Sequence, residues 1–307
     1  MAVNAGVQRL LWIDRNVANL DRAVAFYCDA LGFQVERDAK TSPQAWRNLP
    51  RIGTRPTRSA RLSLGTQQIA LSEFPSATPY PTGATSADLC FQHCAIVVDD
   101  MGAAYARWLR YGGGAAISRD GPQHLPATSG SVTAFKFRDP DGHPLELISF
   151  PSDGENSIWP LQGNDVALGI DHTAISVSNT ERSIAFYQRL GFEISSRGVN
   201  RGPEQQCLDD LAEVEVDVIA LRPANVQTPH LELLGYRIPQ GRKPPNSGVC
   251  DISADRMVLQ TQSLPNLLDK LRHAHVAHIT TDSTDVRQST HVALLSDPDG
   301  HWLVLIE

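Results

Sequence analysis

Two histidines and two glutamates stand in strand-like segments that resemble one another. His93 lies in FQHCAIVV and His172 in IDHTAISV, whereas Glu146 lies in PLELISF and Glu232 in HLELLGY. Imidazole nitrogens and carboxylate oxygens bind divalent transition metals, and carboxylates also act as general bases. Because side chains alternate between the two faces of a strand, the leucines that flank each glutamate can pack under helices while the carboxylate faces a pocket. These residue types point to metal binding and proton transfer.

The four segments belong to an internal repeat. VANLDRAVAFYCDALGF, from Val17, recurs as VSNTERSIAFYQRLGF, from Val177, and FRDPDGHPLELI recurs as LSDPDGHWLVLI. Each half divides again, because FQHCAIVVDDMGAAYARWL has the strand-then-helix outline of IDHTAISVSNTERSIAFYQRL, and ADRMVLQTQSLPNLLDKLR is a fainter fourth copy. Apolar residues at helical spacing follow a β-branched stretch in each copy. The repeat therefore predicts four modules, each with one strand, one helix and three further strands.

The predicted modules cover residues 6–76, 88–151, 167–240 and 250–307. The first two form a predicted N-terminal domain over 1–151, and the last two form a C-terminal domain over 167–307. A stretch punctuated by Pro, Gly, Asp and Asn, over 152–166, is the predicted linker. One module is too small to bury a sheet alone. We therefore expect an α+β fold in which four βαβββ modules pair into two cup-shaped, curled mixed sheets with helices outside.

Composition excludes several classes of function. The net charge is −7 and Lys and Arg form no block, so a nucleic-acid partner is not expected. No apolar run approaches the roughly 20 residues of a membrane span, and the first residues do not resemble a signal peptide. The sequence predicts a cytoplasmic monomer or homodimer that acts on a small molecule. An odd number of cysteines without CxxC spacing indicates reduced thiols: Cys28, Cys90, Cys94, Cys207 and Cys250.

The βαβββ repeat, the FY and LGF helix ends, the DPDGH turns and the E-L-[LI] last strands resemble the vicinal-oxygen-chelate superfamily of glyoxalases, bleomycin-resistance proteins and extradiol dioxygenases. The resemblance covers nearly the whole chain. Its motifs are specific for the fold and only weakly specific for the reaction. It implies that metal ligands lie on the first and last strands of a module and point into the cup.

Ligand-type residues occupy these positions in the two middle modules alone. In chain order, the first-strand position holds Trp12, His93, His172 and Arg256, and the last-strand position holds Ala70, Glu146, Glu232 and Val304. Pairing in chain order would give each cup one His and one Glu. Pairing the second module with the third, and the first with the fourth, would give one cup all of the ligand-type residues and the other none. We favour this second arrangement, which is similar to that of fused, monomeric glyoxalases.

The resemblance thus implies one divalent metal, either Zn, Ni, Co, Mn or Fe(II), at His93, Glu146, His172 and Glu232, and no other cofactor. The implied activity is that of a glyoxalase-type lyase, isomerase or epimerase, acting on a small 2-oxo or hydroxyacyl substrate through a metal-bound enediolate. Glu146 or Glu232 would be the catalytic base. Two alternatives stay open: an Fe(II) or Mn extradiol ring-cleavage dioxygenase, and a metal-free binding protein of the resistance type.

Other histidines have less specific interpretations. His230 lies two residues before Glu232, so it is a possible pocket wall or alternative ligand. His143 and His301 belong to DPDGH sequences, which are typical of tight turns rather than calcium loops. No chemistry is assigned to the remaining cluster near the end of a predicted helix: His273, His275 and His278.

Three further expectations concern packing and loops. Cys94 should face away from the cup as a small buried residue. Trp12 and Arg256 are expected to fill the core of the second cup, and the alternative is that Arg256 holds an anion there. The stretches Ser118–Gly130 and Arg237–Gly248 are rich in Gly, Pro and polar residues, and we expect them to form rims of the first cup.

Overall fold

A computed structural model describes residues 6–36, 56–74, 76–111, 114–151, 158–159, 166–224, 226–243, 248–273, 279–281 and 292–307. Within these ranges the elements follow in order: β1 (Val7–Val17), α1 (Leu20–Leu31), β2 (Gln34–Val35), β3 (Ser59–Leu64), β4 (Gln67–Glu73), β5 (Gln92–Val98), α2 (Met101–Tyr111), β6 (Gln123–His124), β7 (Thr133–Arg138), β8 (Pro144–Ser149), β9 (Ala167–Ser176), α3 (Thr180–Leu190), β10 (Phe192–Arg201), α4 (Pro203–Asp209), β11 (Glu215–Pro223), β12 (His230–Ile238), β13 (Arg256–Thr261), α5 (Leu264–His273), β14 (Ile279–Thr281), β15 (Val292–Ser296) and β16 (Trp302–Ile306).

This order confirms the predicted α+β fold of four βαβββ modules. The third module carries one addition, the short helix α4 between its second and third strands. Of the predicted linker, the structure describes only Ile158, Trp159 and Val166, so the linker and the division into two domains stay predictions. In the described part of the chain, no helix is long and apolar enough to cross a membrane.

The strands form two mixed sheets of eight strands each. The first and fourth modules make the outer sheet, in the order β14-β15-β16-β13-β1-β4-β3-β2. The second and third modules make the inner sheet, in the order β10-β11-β12-β9-β5-β8-β7-β6. The first strands of the paired modules run antiparallel, β1 beside β13 and β5 beside β9. The module pairing favoured by the distribution of His and Glu is confirmed.

Helices α1 and α3 have matching ends. Asn19 and Asn179 cap their first turns, with each side-chain oxygen accepting a hydrogen bond from the backbone N–H three residues later. Each helix ends at a glycine in the left-handed region, Gly32 at φ 81° and Gly191 at φ 102°. The buried faces of the helices join one apolar core that also contains the leucines beneath both sheets. The helices therefore lie outside the cups, as predicted.

The two DPDGH sequences form tight turns, as expected. The Oδ1 atoms of Asp139 and Asp297 accept hydrogen bonds from backbone N–H groups inside their own turns. His143 and His301 serve these turns and also anchor them to the neighbouring part of the fold. Their Nε2 atoms lie 2.8 and 2.9 Å from the carbonyl oxygens of Ile252 and Ser176, respectively.

A buried charge network holds the outer sheet against the second module. Arg15 donates to Asp255 Oδ2 at 2.7 Å and to the hydroxyl of Tyr27, also at 2.7 Å. Tyr27 in turn donates to Asp139 at 3.1 Å. Burial alone would raise the pKa of Asp139, but His143 and Arg15 beside it hold that pKa at about 2. The network is stable only while its charges remain paired.

We expect Arg15→Met to lower the free energy of unfolding by about 3–5 kcal/mol, because Asp255 and Asp139 would stay buried without their cation. Urea unfolding near pH 7 measures this loss. Arg9→Met is the control, since Arg9 is exposed and its one side-chain hydrogen bond to a described residue is with Gln260, and its effect should stay within about 0.5 kcal/mol. Equal losses in the two variants would contradict the assignment of a structural role to the buried network.

Candidate functional site

His93, Glu146, His172 and Glu232 lie on β5, β8, β9 and β12, the four central strands of the inner sheet. The leucines that flank the glutamates are fully buried in the core beneath the helices, so both carboxylates point to the opposite, concave face. We call this concave face the inner cup. The antiparallel register pairs His93 with Ala174 and His172 with Ala95, which places the two imidazoles diagonally on the same face.

The four side chains converge within the inner cup. Nε2 of His93 lies 2.8 Å from Oε2 of Glu146 and 3.3 Å from Nε2 of His172. Nε2 of His172 lies 3.8 Å from Oε2 of Glu146 and 3.5 Å from Oε2 of Glu232. Glu232 is the most exposed of the four, with 19% of its side chain accessible. Nε2 of both histidines and a carboxylate oxygen of Glu146 thus face one common point, and Glu232 lies beside them through its contact with His172. This donor set suits a divalent transition metal.

Asp171 orients His172. Its Oδ2 accepts a hydrogen bond from Nδ1 of His172 at 2.9 Å, which leaves Nε2 directed at the other three side chains. The β5–β9 register shifts by one residue here, because Ala95 pairs with His172 and Ile96 with Ile170. Asp171 is the extra residue of this bulge, and its side chain lines the same cavity as its neighbour. Strict alternation would have placed it on the other face, so sequence reasoning missed it.

His230 lies beside the cluster. It pairs with His172 across β12 and β9, and its Nε2 is 3.4 Å from Oε1 of Glu232. Its Nδ1 is 3.9 Å from Oδ2 of Asp171. Asp171, His172 and His230 form a second group of ligand-type atoms next to the first. The predicted position of His230 on the pocket wall is confirmed.

Opposing effects set the protonation of the cluster. Burial would lower the pKa of His172, but Glu232 and Asp171 raise it to about 9. Burial lowers the pKa of His93 below its ordinary value despite the nearby carboxylate of Glu146. Burial would raise the pKa of Glu232, but His172 and His230 bring it down to about 2. Both carboxylates of the metal-free cluster are therefore ionised at neutral pH, which favours a bound cation.

The inner cup encloses a cavity of about 700 Å³. Leu125 and residues Thr128, Ser129 and Gly130 line it, so the predicted rim Ser118–Gly130 is confirmed in its last part, and the cavity lining does not include 118–124. The other predicted rim is wrong in its described part, 237–243 and 248, which contributes nothing to this lining. In this segment Arg242 forms an ion pair with Asp88 at 2.7 Å and does not line the cavity. Helix α4 takes its place, and its residues Gln205 and Leu208 line the cavity.

The outer sheet shows the same positions filled by other residues. Its register pairs Trp12 with Val258 and Asp14 with Arg256, which makes Trp12 equivalent to His172 and Arg256 equivalent to His93. The Arg61 guanidinium covers the Trp12 ring at 4.1 Å. The Arg256 guanidinium binds Asp14 at 3.1 Å. With Ala70 and Val304 at the two glutamate positions, the expected filled core is confirmed.

The structure also settles the remaining sequence expectations. Cys94 packs in the core on the face away from the cup, where burial raises its pKa to about 11. All five cysteines are free thiols. His273 is exposed at the end of α5 and bonds the Asp269 carbonyl. His275 and His278 lie outside the described residues.

Residues 9–147 and 169–305 match the model of the glyoxalase/bleomycin resistance protein/dioxygenase superfamily. The chain belongs to this superfamily. Its fold is similar to that of glyoxalase I from Zea mays, with 22% identity, a TM-score of 0.65, and 97% of this chain and 92% of that chain covered. It is also similar to a dioxygenase candidate from Bacillus subtilis, with 14% identity, a TM-score of 0.59, and 98% and 85% covered. No curated protein matches the sequence. These structural likenesses show the fold. They do not identify the reaction, which has to be inferred from the residues of the site.

The pKa of His172 makes the stability of the metal-free protein depend on pH. Because this pKa, about 9, lies above the unfolded value of about 6.5, the stabilisation is complete below about pH 6.5 and is lost as the pH rises through about 9. We expect the free energy of unfolding of wild type, relative to His172→Gln, to fall across this window by up to about 1.4 kcal/mol per pH unit. Urea titrations after chelator treatment, with the exposed-residue variant His273→Gln as control, measure this difference. A difference that does not change with pH would contradict the protonation assigned to His172.

Proposed function

We propose that this chain is a metal-dependent enzyme of the glyoxalase type, a lyase, isomerase or epimerase, whose metal is bound by His93, Glu146, His172 and Glu232. One observation carries the proposal. The four ligand-type side chains converge in the inner cup, with Nε2 of the two histidines only 3.3 Å apart. The equivalent outer positions hold residues that cannot replace them.

The donor set supports a metal. Both histidines present Nε2 to the common point, and Asp171 keeps Nδ1 of His172 occupied, as second-sphere carboxylates do for metal-binding histidines. Nearby cations hold the pKa values of Glu146 and Glu232 below their ordinary range, so both are carboxylates at neutral pH, the form that binds a metal cation. Zn, Ni, Co, Mn and Fe(II) all accept such a mixture of nitrogen and oxygen ligands.

The reaction we propose moves a proton between adjacent carbons of a small 2-oxo or hydroxyacyl substrate. A bound divalent cation supplies Lewis acidity, which stabilises negative charge on the substrate oxygens as the C–H bond breaks. Glu146 or Glu232 takes the proton from one carbon and returns it to the next. The depressed pKa of Glu232 keeps its carboxylate ionised at neutral pH, the form that binds a cation. The cavity of about 700 Å³ suits a small molecule.

An extradiol dioxygenase is the second candidate, and one observation favours it. His93, Glu146 and His172 form the tighter group of ligand-type atoms. Glu232 has an alternative partner in His230, at 3.4 Å. Two histidines and one carboxylate with open positions are the ligands of non-haem Fe(II) oxygenases. Oxygen consumption separates this reaction from the proton transfer proposed above.

We expect purified wild type to contain about one divalent metal per chain, and the variant His93→Ala/His172→Ala to contain almost none, because that variant loses both imidazole ligands. Elemental analysis measures the content. The control is His124→Ala/His273→Ala, which removes two exposed histidines. Assays of the metal-loaded protein with 2-oxo, hydroxyacyl and catechol substrates, with and without oxygen, then separate the two reactions. Failure of wild type to bind metal under any loading condition would sink the enzyme proposal and leave a binding protein.

Substituting each glutamate identifies the base. One of the variants Glu146→Gln and Glu232→Gln removes the catalytic base. That variant should lower kcat by about 10²–10⁴-fold. The amide oxygen can still bind the metal, so metal content should fall far less than kcat. The other Gln variant serves as the matched control. Loss of metal in parallel with activity would show that the substituted residue is a ligand whose role as base is unsupported.

A further inference from the structure

Lys136 is a buried cation that the proposed chemistry does not use. It lies on β7 directly opposite Glu146 on β8, so both side chains project into the inner cup. Its neighbours Phe135 and Phe137 pack on the other face, beneath α2. Only 4% of the lysine side chain is accessible, yet it lines the cavity that holds the His and Glu cluster.

The ammonium group has unused hydrogen-bonding capacity. Nζ donates to Oδ1 of Asp209 at 2.6 Å, and Asp209 is its one hydrogen-bond partner among the residues that the structure describes. A lysine ammonium has three N–H donors, so capacity for two more acceptors remains. Burial without such acceptors is costly for a charged group. A ligand oxygen in the cavity would supply them.

Asp209 is itself held in place by a chain of hydrogen bonds. Its Oδ2 accepts from Tyr236 at 2.9 Å and from Gln205 at 2.7 Å. Asn200 donates to Gln205, and Ser129 on the rim of the cup donates to Asn200 at 2.8 Å. The chain runs from the rim to the floor of the cup. It fixes the Lys136–Asp209 pair in position, as preorganised binding groups require.

Charge supports a ligand at this place. Burial would lower the pKa of Lys136, but Asp209 and Glu146 raise it above its ordinary value, so the group is an ammonium at neutral pH. Asp209 already accepts hydrogen bonds from three side chains, so the remaining N–H groups of Lys136 are available to an acceptor in the cavity, beside Glu146.

We propose that Lys136 forms an anion subsite that binds the carboxylate of the substrate, which narrows the substrate class to small 2-oxo or 2-hydroxy acids. This inference rests on the proposed function for the placement of the remaining substrate oxygens at the His and Glu cluster. Asp209 is a positioning residue, because it acts on the substrate through Lys136. Neutral ketones and esters would lack the contact.

The test compares pyruvate with pyruvamide, which have nearly the same shape and differ by one charge. Calorimetric titration of the metal-loaded protein measures both affinities in wild type and in Lys136→Met. Pyruvate should bind at least about tenfold more weakly to the variant, the loss expected for a charge-assisted hydrogen bond, and pyruvamide should change less than about twofold. Equal losses for both probes, or no loss for pyruvate, would overturn the subsite.

Two further variants keep the test decisive. Lys136→Met/Asp209→Asn removes both charges of the pair, so it avoids an unpaired buried carboxylate if the single variant fails to fold. It should show the same selective loss of pyruvate. Asp209→Asn alone retains the ammonium and should retain the preference for pyruvate over pyruvamide. If Asp209→Asn loses that preference as completely as Lys136→Met does, the pair has a structural role and the subsite is refuted.

A metal-free arm separates this inference from the proposed function. The same titrations are repeated after chelator treatment, with metal content measured for each sample. Stoichiometric metal without any dependence of pyruvate affinity on Lys136 would refute the subsite and leave the metal site standing. Pyruvate binding that depends on Lys136 in a protein that takes up no metal would support the subsite and refute the metal-dependent reaction.

Discussion

The antiparallel pairing of β5 with β9 is the constraint on which the site depends. It joins the second and third modules edge to edge, and it brings His93 and His172, which are 79 residues apart in the chain, into contact. The last strands β8 and β12 then pair in parallel with β5 and β9, so each glutamate arrives beside the first strand of its own module. Neither half of the duplicated chain contains the complete cluster. The inner cup exists only because the modules pair across the midpoint of the sequence.

The outer sheet has the same arrangement of strands but lacks the His and Glu cluster. Its strands follow the same order and register, but in its described part an apolar cluster, the Arg61–Trp12 contact and the Arg256–Asp14 ion pair occupy the concave face. Asp14 stands where the inner sheet has Ala174, and it neutralises Arg256 directly. A buried charge that has its partner on the adjacent strand needs no ligand. The inner cup differs, because its two glutamates lie among three imidazoles and the Lys136 ammonium rather than in one closed ion pair.

The sequence predicted those features that follow from period and repetition. Alternation along β8 and β12 placed Glu146 and Glu232 on the concave face, and comparison of the four copies found both histidines. It missed Asp171, because a one-residue bulge reverses the alternation at that position. It also missed the contact between Lys136 and Asp209, which are 73 residues apart, since that contact depends on the added helix α4. Alternation carries no signal for either feature, because the bulge, which recurs at Leu11 in the outer sheet, breaks the period of two, and the contact between Lys136 and Asp209 joins two different modules.

Three polar features distinguish the inner sheet from the outer one. Asp171 at the bulge, where the outer sheet has Leu11, the added helix α4 and the buried Lys136 each place a polar group in the same cavity. A polar network inside a fold is stable only when its members are satisfied, so each addition imposes further constraints on its neighbours. The hydrogen-bond chain from Ser129 to Lys136 meets these constraints by linking the second module to the third at the rim as well as through β5 and β9. The inner pair of modules is therefore joined twice, once by its backbone and once by the side chains that shape the cavity.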